Sequence, residues 1–194
     1  MGTEENKSLR RYTSDLLALE SHFMNAIKKQ KSSDELKDED AIELIHELDK
    51  MSSEHVKSLE RHVERLGGKM TTDIKTKIAT FAGSVAGLID GARSDAMSKM
   101  LRDDYTALSM ITIGYTMLYT HALAAEDDLL AELTQKQLTD CTNMITEISK
   151  VVPLVVAREM IEDPNRAEQI GQKALDNTQA AWKPAVVNQD PQIV

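Results

Sequence analysis

Glu20, Glu54, His55, Asp103 or Asp104, and Asp140 are the residues whose types and spacing suit chemistry in this chain. Each lies on or beside the apolar stripe of a long segment with helical periodicity. A buried charge is costly unless it is paired or coordinated to a cation. Carboxylates combined with one histidine are the ligand type that suits iron or manganese. The same residues also allow a plainer arrangement, in which some face solvent and the rest make structural hydrogen bonds.

The stretch Ala41–Gly68 carries the centre of this set. Ile45, Leu48, Leu59 and Leu66 fall on one helical stripe, with His55 and His62 on it, Met51 and Ser52 beside it and Glu54 on its shoulder. Glu43-x-x-His46 has a ligand-like spacing but lies off the stripe, so it reads as a solvated face. His22 and His121 read as partly exposed helix residues, and His62 as a hydrogen-bonded histidine at the core edge. Cys141 is the sole cysteine, which excludes an intramolecular disulfide and a CxxC site. Its thiol reads as buried and inert. Nothing supports nucleophilic catalysis, and GSVAG and LGGK lack the strand and spacing of a phosphate-cradling loop.

Helices must position these groups. Leu9, Tyr12, Leu16, Leu19, Phe23 and Ala26 step by three and four, predicting a first helix from about Glu4 to Gln30 with Glu20 at the edge of its seam. A second runs from about Asp38 to Leu66 and stops at Gly67-Gly68. A connection of about seven residues makes the two an antiparallel hairpin, which sets Glu20 opposite residues 50–55. A glycine-rich stretch follows, with a short crossover helix expected around Lys75–Ile89. A third helix is predicted from about Ser94 to Leu123, with Asp104 on its stripe and Asp103 beside it. A fourth spans about Asp127 to Val152, where Pro153 kinks or ends it. Asp163-Pro164 predicts a fifth from Pro164 to Trp182, and KPAVVNQDPQIV reads as a loose tail. The division expected is a four-helix bundle over 1–162, then a C-terminal helix and tail over 163–194.

Bulk properties agree with an all-α chain. Among 194 residues, aromatics are 4% and there are 10 Met, which leans local preference towards helix. A net charge of −9 argues against nucleic acid or an anionic membrane as partner. The start, MGTEENKSLRR, has no apolar signal core, and no apolar run reaches membrane-spanning length, so the cytoplasm is the expected location.

The segments LLALESHF and EHVKSLERHVERLGG, with the Tyr105–Asp140 spacing, resemble the ferritin-like superfamily. They are most similar to a bacterial stress-associated branch that is labelled a domain of unknown function and is distantly related to rubrerythrins. Ser14-Asp15 with Glu20, Glu54 with Leu59–Arg61, Asp103-Asp104-Tyr105 and Thr139-Asp140 carry the likeness over about Leu9 to Ile148.

That resemblance implies a ferritin-like antiparallel four-helix bundle with a short crossover helix and an extra C-terminal helix. It also implies stress-related iron or oxidant handling at Glu20, Glu54, His55, Asp103, Asp104 and Asp140, with iron or manganese as the cofactor. Departures from the family pattern fall at Ser52, where a glutamate would pair with His55, and at Gln135, Lys136 and Gln137, where a carboxylate would precede Asp140. They keep a second reading open, a metal-free bundle acting as an interaction or structural module. A homodimer through an apolar helix face is expected, and the C-terminal helix is a surface for a protein partner.

Overall fold

In the computed structural model, which describes residues 3–67 and 97–182, the first helix, α1, covers Thr3–Lys31 and the second, α2, Glu39–Arg65. Asp38 starts α2 by accepting the Ala41 backbone N–H at 3.2 Å, which satisfies one of the donors a helix start leaves without a partner. Gly67, at φ +76°, takes the left-handed turn that ends it. The third helix, α3, spans Met97–Ala124 and the fourth, α4, Asp128–Met160. Asp127 caps α4 through the Leu130 N–H at 3.1 Å. The fifth, α5, is Pro164–Trp182, with Asp163 accepting the Asn165 N–H at 3.0 Å. The described residues are therefore all-α. The expected crossover helix at Lys75–Ile89 and the tail beyond Trp182 lie outside the described residues.

Cross-helix contacts fix how the helices run. Arg10 reaches the Gly67 carbonyl while Lys31 pairs with Asp49, so α1 and α2 are antiparallel. Gln30 meets Asp104 and Tyr12 meets His121, so α1 and α3 are antiparallel too. Arg65 binds Asp127 and Arg158 binds Asp38, which sets α4 against α2 in the same sense. Ser98 binds Glu159 across α3 and α4. Hence α2 and α3 run in one direction, and α1 and α4 in the other. The shared interior is filled mainly by Leu, Ile, Val and Ala with Phe23 among them, including Leu17, Ile45, Leu59, Leu108 and Ile111. Each such side chain contributes roughly 1.5–3 kcal/mol on burial.

Helix α4 does not stop near Val152 as the proline suggested; it continues through Pro153 to Met160. A proline inside a helix removes one i to i−4 hydrogen bond and normally breaks it. Here the turns beyond it are held from outside. Val155 and Ala157 are buried, and Arg158 binds Asp38 and Asp40 of the α2 start and Glu168 of α5.

Helix α5 lies against this last part of α4. A Cβ added at Gly171 would sit 3.1 Å from Leu154 Cδ2, 3.2 Å from Leu154 Cα and 3.3 Å from Ala157 Cβ. Backbone cannot move away as a side-chain tip can, so Gly171 sets the approach of the two helices. Gly171→Leu is expected to lose about 1–3 kcal/mol by overpacking. Amide hydrogen exchange should locate the loss, with faster exchange across α5 and unchanged protection in α1 and α2.

Candidate functional site

The polar centre of the bundle is built from four helices. Glu20 on α1 is wholly buried, and its Oε1 accepts hydrogen bonds from the Tyr115 hydroxyl of α3 at 2.7 Å and from His55 Nδ1 of α2 at 2.9 Å. Tyr115 sits over the imidazole edge, with ring centroids 5.7 Å apart at 84°. Leu16 lies over Gly114, where a Cβ would come within 2.8 Å of its Cδ1, so α1 approaches α3 closely beside this pair. Burial first, then the Glu20 charge, pushes the Tyr115 phenol well above its usual range, which keeps it a donor.

The other imidazole nitrogen, Nε2, faces Asp140 Oδ2 of α4 at 3.3 Å, and Lys136 Nζ donates to the same oxygen at 2.7 Å. Burial works to raise the Asp140 pKa, but the hydrogen bonds from Lys136 and His55 outweigh it and hold the carboxyl below its ordinary value. Lys136, whose charge reads in sequence as hostile to a cation site, instead lies on the outer side of Asp140, 68% exposed. A line of polar contacts therefore runs inward from solvent, through Lys136, Asp140 and His55, to Glu20 and Tyr115.

Two buried atoms in this centre have no hydrogen-bond partner, Glu20 Oε2 and Gln137 Oε1. The Gln137 amide nitrogen donates to the His55 carbonyl at 3.4 Å, orienting that side chain along α2. One turn further along α4, the Cys141 thiol is buried. A carboxylate oxygen of Glu20, a ring nitrogen of His55 and Cys141 Sγ all lie within 4.8 Å of one another. Burial, reinforced by the charges of Glu20 and Asp140, pushes the thiol pKa far up, so Cys141 is protonated in this environment.

Of the residues singled out by sequence, Glu20, His55 and Asp140 come together. Glu54 does not; it is exposed, one helical position and about 100° away from His55. Asp103 is held by Arg102 at 2.6 Å on the flank of α3. Asp104 is buried but lies elsewhere, its Oδ1 accepting from Gln30 Nε2 at 2.7 Å near the end of α1. Burial pushes its carboxyl up to about 7, although the Gln30 bond works in the opposite direction. The cause of the separation is register. Glu20 faces Tyr115, not Asp104, and eleven helical positions amount to about 16 Å.

Tyr115, Gln137 and Cys141 lie on the buried faces of their helices, spaced among apolar residues. Their shared signal was the facing position of Glu20, which demands polar neighbours. Among the histidines, His46 is exposed and His121 stacks on Tyr12 with centroids 4.1 Å apart. His62 is part-buried, and burial followed by Arg65 lowers its pKa. No helix among the described residues is long and apolar enough to cross a membrane.

Fold and site together define an all-α helical bundle with a buried glutamate–histidine–cysteine cluster hydrogen-bonded to tyrosine and aspartate. Comparisons with known family models, curated proteins and solved structures give no match.

Proposed function

We propose that the chain is a ferritin-like four-helix bundle, formed by α1 to α4, that holds one divalent transition-metal ion at Glu20 and His55. The observation that carries this reading is the wholly buried Glu20 carboxylate, whose Oε2 has no partner while Oε1 is doubly satisfied. An uncompensated buried carboxylate oxygen costs about 1–3 kcal/mol or more, and a cation removes that cost. The pairing of α1 with α2 and of α3 with α4, with α2 and α3 parallel, supports the ferritin-like order of helices.

A two-metal carboxylate centre fits poorly, because Glu54 faces solvent, Asp103 binds Arg102 and Asp104 binds Gln30. A single ion fits. His55 would ligate through Nδ1 and keep its Nε2 proton on Asp140, an arrangement that orients a metal-bound imidazole. Iron or manganese there would supply redox chemistry towards oxidants, the activity in keeping with a stress-related role. The outward residues Ile113 and Met117 of α3, 61% and 47% exposed, are the apolar face for a homodimer.

Metal analysis of the full chain, purified without chelator or affinity metal and then loaded anaerobically with Fe(II), Mn(II) or Zn(II), tests the reading. About one ion per chain is expected, with affinity reduced by at least the roughly 10- to 100-fold that loss of an outer-shell partner costs in Glu20→Gln. Absence of retained metal after loading overturns it. The bundle would then be a metal-free interaction or structural module, a reading favoured by the unbroken contacts from Lys136 to Tyr115.

A further inference from the structure

We infer that Cys141 is a third ligand, as thiolate, which makes the centre a sulphur-containing site for a borderline cation such as zinc or cobalt(II). This rests on the single-ion reading above and narrows it. The donor atoms are already gathered, with Glu20, His55 and Cys141 each offering one within 4.8 Å of the other two. Tetrahedral zinc holds oxygen and nitrogen at about 2.0–2.1 Å and sulphur at about 2.3 Å, so a modest contraction brings all three onto one ion.

Glu20 Oε2 has no partner, and His55 Nδ1 is held only by Glu20 Oε1, a contact within the cluster that a cation would replace, while Asp140 occupies His55 Nε2 and Tyr115 occupies Glu20 Oε1. Cys141 is therefore not an isolated thiol, because a wholly buried, unpartnered carboxylate oxygen belongs to the same cluster.

Binding would replace the His55 Nδ1–Glu20 Oε1 hydrogen bond with metal–nitrogen, metal–oxygen and metal–sulphur bonds, any proton on Nδ1 and the thiol proton leaving as those bonds form. Soft thiolate selects zinc and cobalt over manganese and magnesium, which favour all-oxygen sets.

Cobalt(II) added to the full metal-free chain tests this. The expected result is one Co(II) per chain, a near-ultraviolet sulphur-to-cobalt charge-transfer absorption and visible bands of tetrahedral intensity. Cys141→Ser, checked for unchanged helicity, should lose the charge-transfer band and bind Co(II) more than about 10-fold more weakly. Cys141→Ala should do the same, which separates ligand loss from a polar misfit. Stoichiometric Co(II) without the sulphur band, with unaltered affinity in both variants, overturns the thiolate and leaves the Glu20–His55 site standing. No Co(II) binding at all overturns the thiolate and the single-ion reading together.

Discussion

Glu20→Ala is expected to lose about 3–5 kcal/mol of folding stability in the metal-free chain, the usual result of removing one partner of a buried charge pair. Three effects combine. His55 Nδ1 and the Tyr115 hydroxyl lose their common acceptor, each inside the bundle where water does not substitute. A cavity opens between α1 and α3, where Leu16 and Gly114 are already in close approach. Domains of this kind are stable by only about 5–15 kcal/mol, so the loss is a large share of the total. With a urea slope of about 2 kcal/mol per molar, the midpoint should fall by roughly 2 M. Glu20→Gln keeps the volume and an acceptor for Tyr115, so its midpoint should fall by much less. Equal losses in the two variants would show that loss of the carboxylate, not cavity formation, is the source of the destabilisation.

Asp104→Asn is expected to act in the opposite direction and to depend on pH. Asp104 is wholly buried, and burial raises its carboxyl to about 7. At acid pH, below the ordinary carboxyl range, both folded and unfolded chains carry the proton, and the group has no effect on stability. As pH rises, the unfolded chain releases that proton first, so the folded state loses stability until the pH passes about 7. At 1.36 kcal/mol per pKa unit the penalty at pH 8 approaches about 4 kcal/mol, an upper figure. Asparagine removes the penalty and adds a donor beside Gln30 Oε1, which now has no partner. Urea unfolding at pH 4 and pH 8 reads the effect. The variant should exceed the parent by less than about 1 kcal/mol at pH 4 and by several kcal/mol at pH 8. A gain of the same size at both pH values would mean that the amide contact, and not ionisation, is responsible.

Much of the fold was legible because local rules decide it. Asp38, Asp127 and Asp163 cap the helices that follow them, and Gly67 ends α2, all through backbone groups a few residues away. The opposition of Glu20 and His55 was legible too, since a short hairpin connection fixes the offset of two antiparallel helices. The offset between α1 and α3 was not. It depends on the long stretch between α2 and α3, and counting residues across such a stretch gives no register. Grouping Asp103 and Asp104 with Glu20 therefore fails, because Tyr115 occupies the level of Glu20.

Glu54 failed for a different reason. The buried face of α2 passes through Ser52, His55, Val56, Leu59 and Val63, and a shoulder position on a helix is decided by which neighbours cover it. Pro153 likewise follows its local rule only until Arg158 and α5 hold the helix beyond it. Cys141 and Tyr115 look apolar along their own helices, and only the glutamate facing them from α1 gives them a chemical role.

Lys136 has a consequence for timing. Its ammonium holds Asp140 Oδ2, the same oxygen that faces His55, and Asp140 is the half-open member of the cluster, while Glu20 lies behind His55 with no exposure. A cation entering past Asp140 would meet the Lys136 ammonium on the way to Glu20. On the single-ion reading proposed above, the interior donors would set equilibrium affinity and the Lys136–Asp140 contact the speed of filling, so the folded protein would take up its ion slowly and lose it slowly.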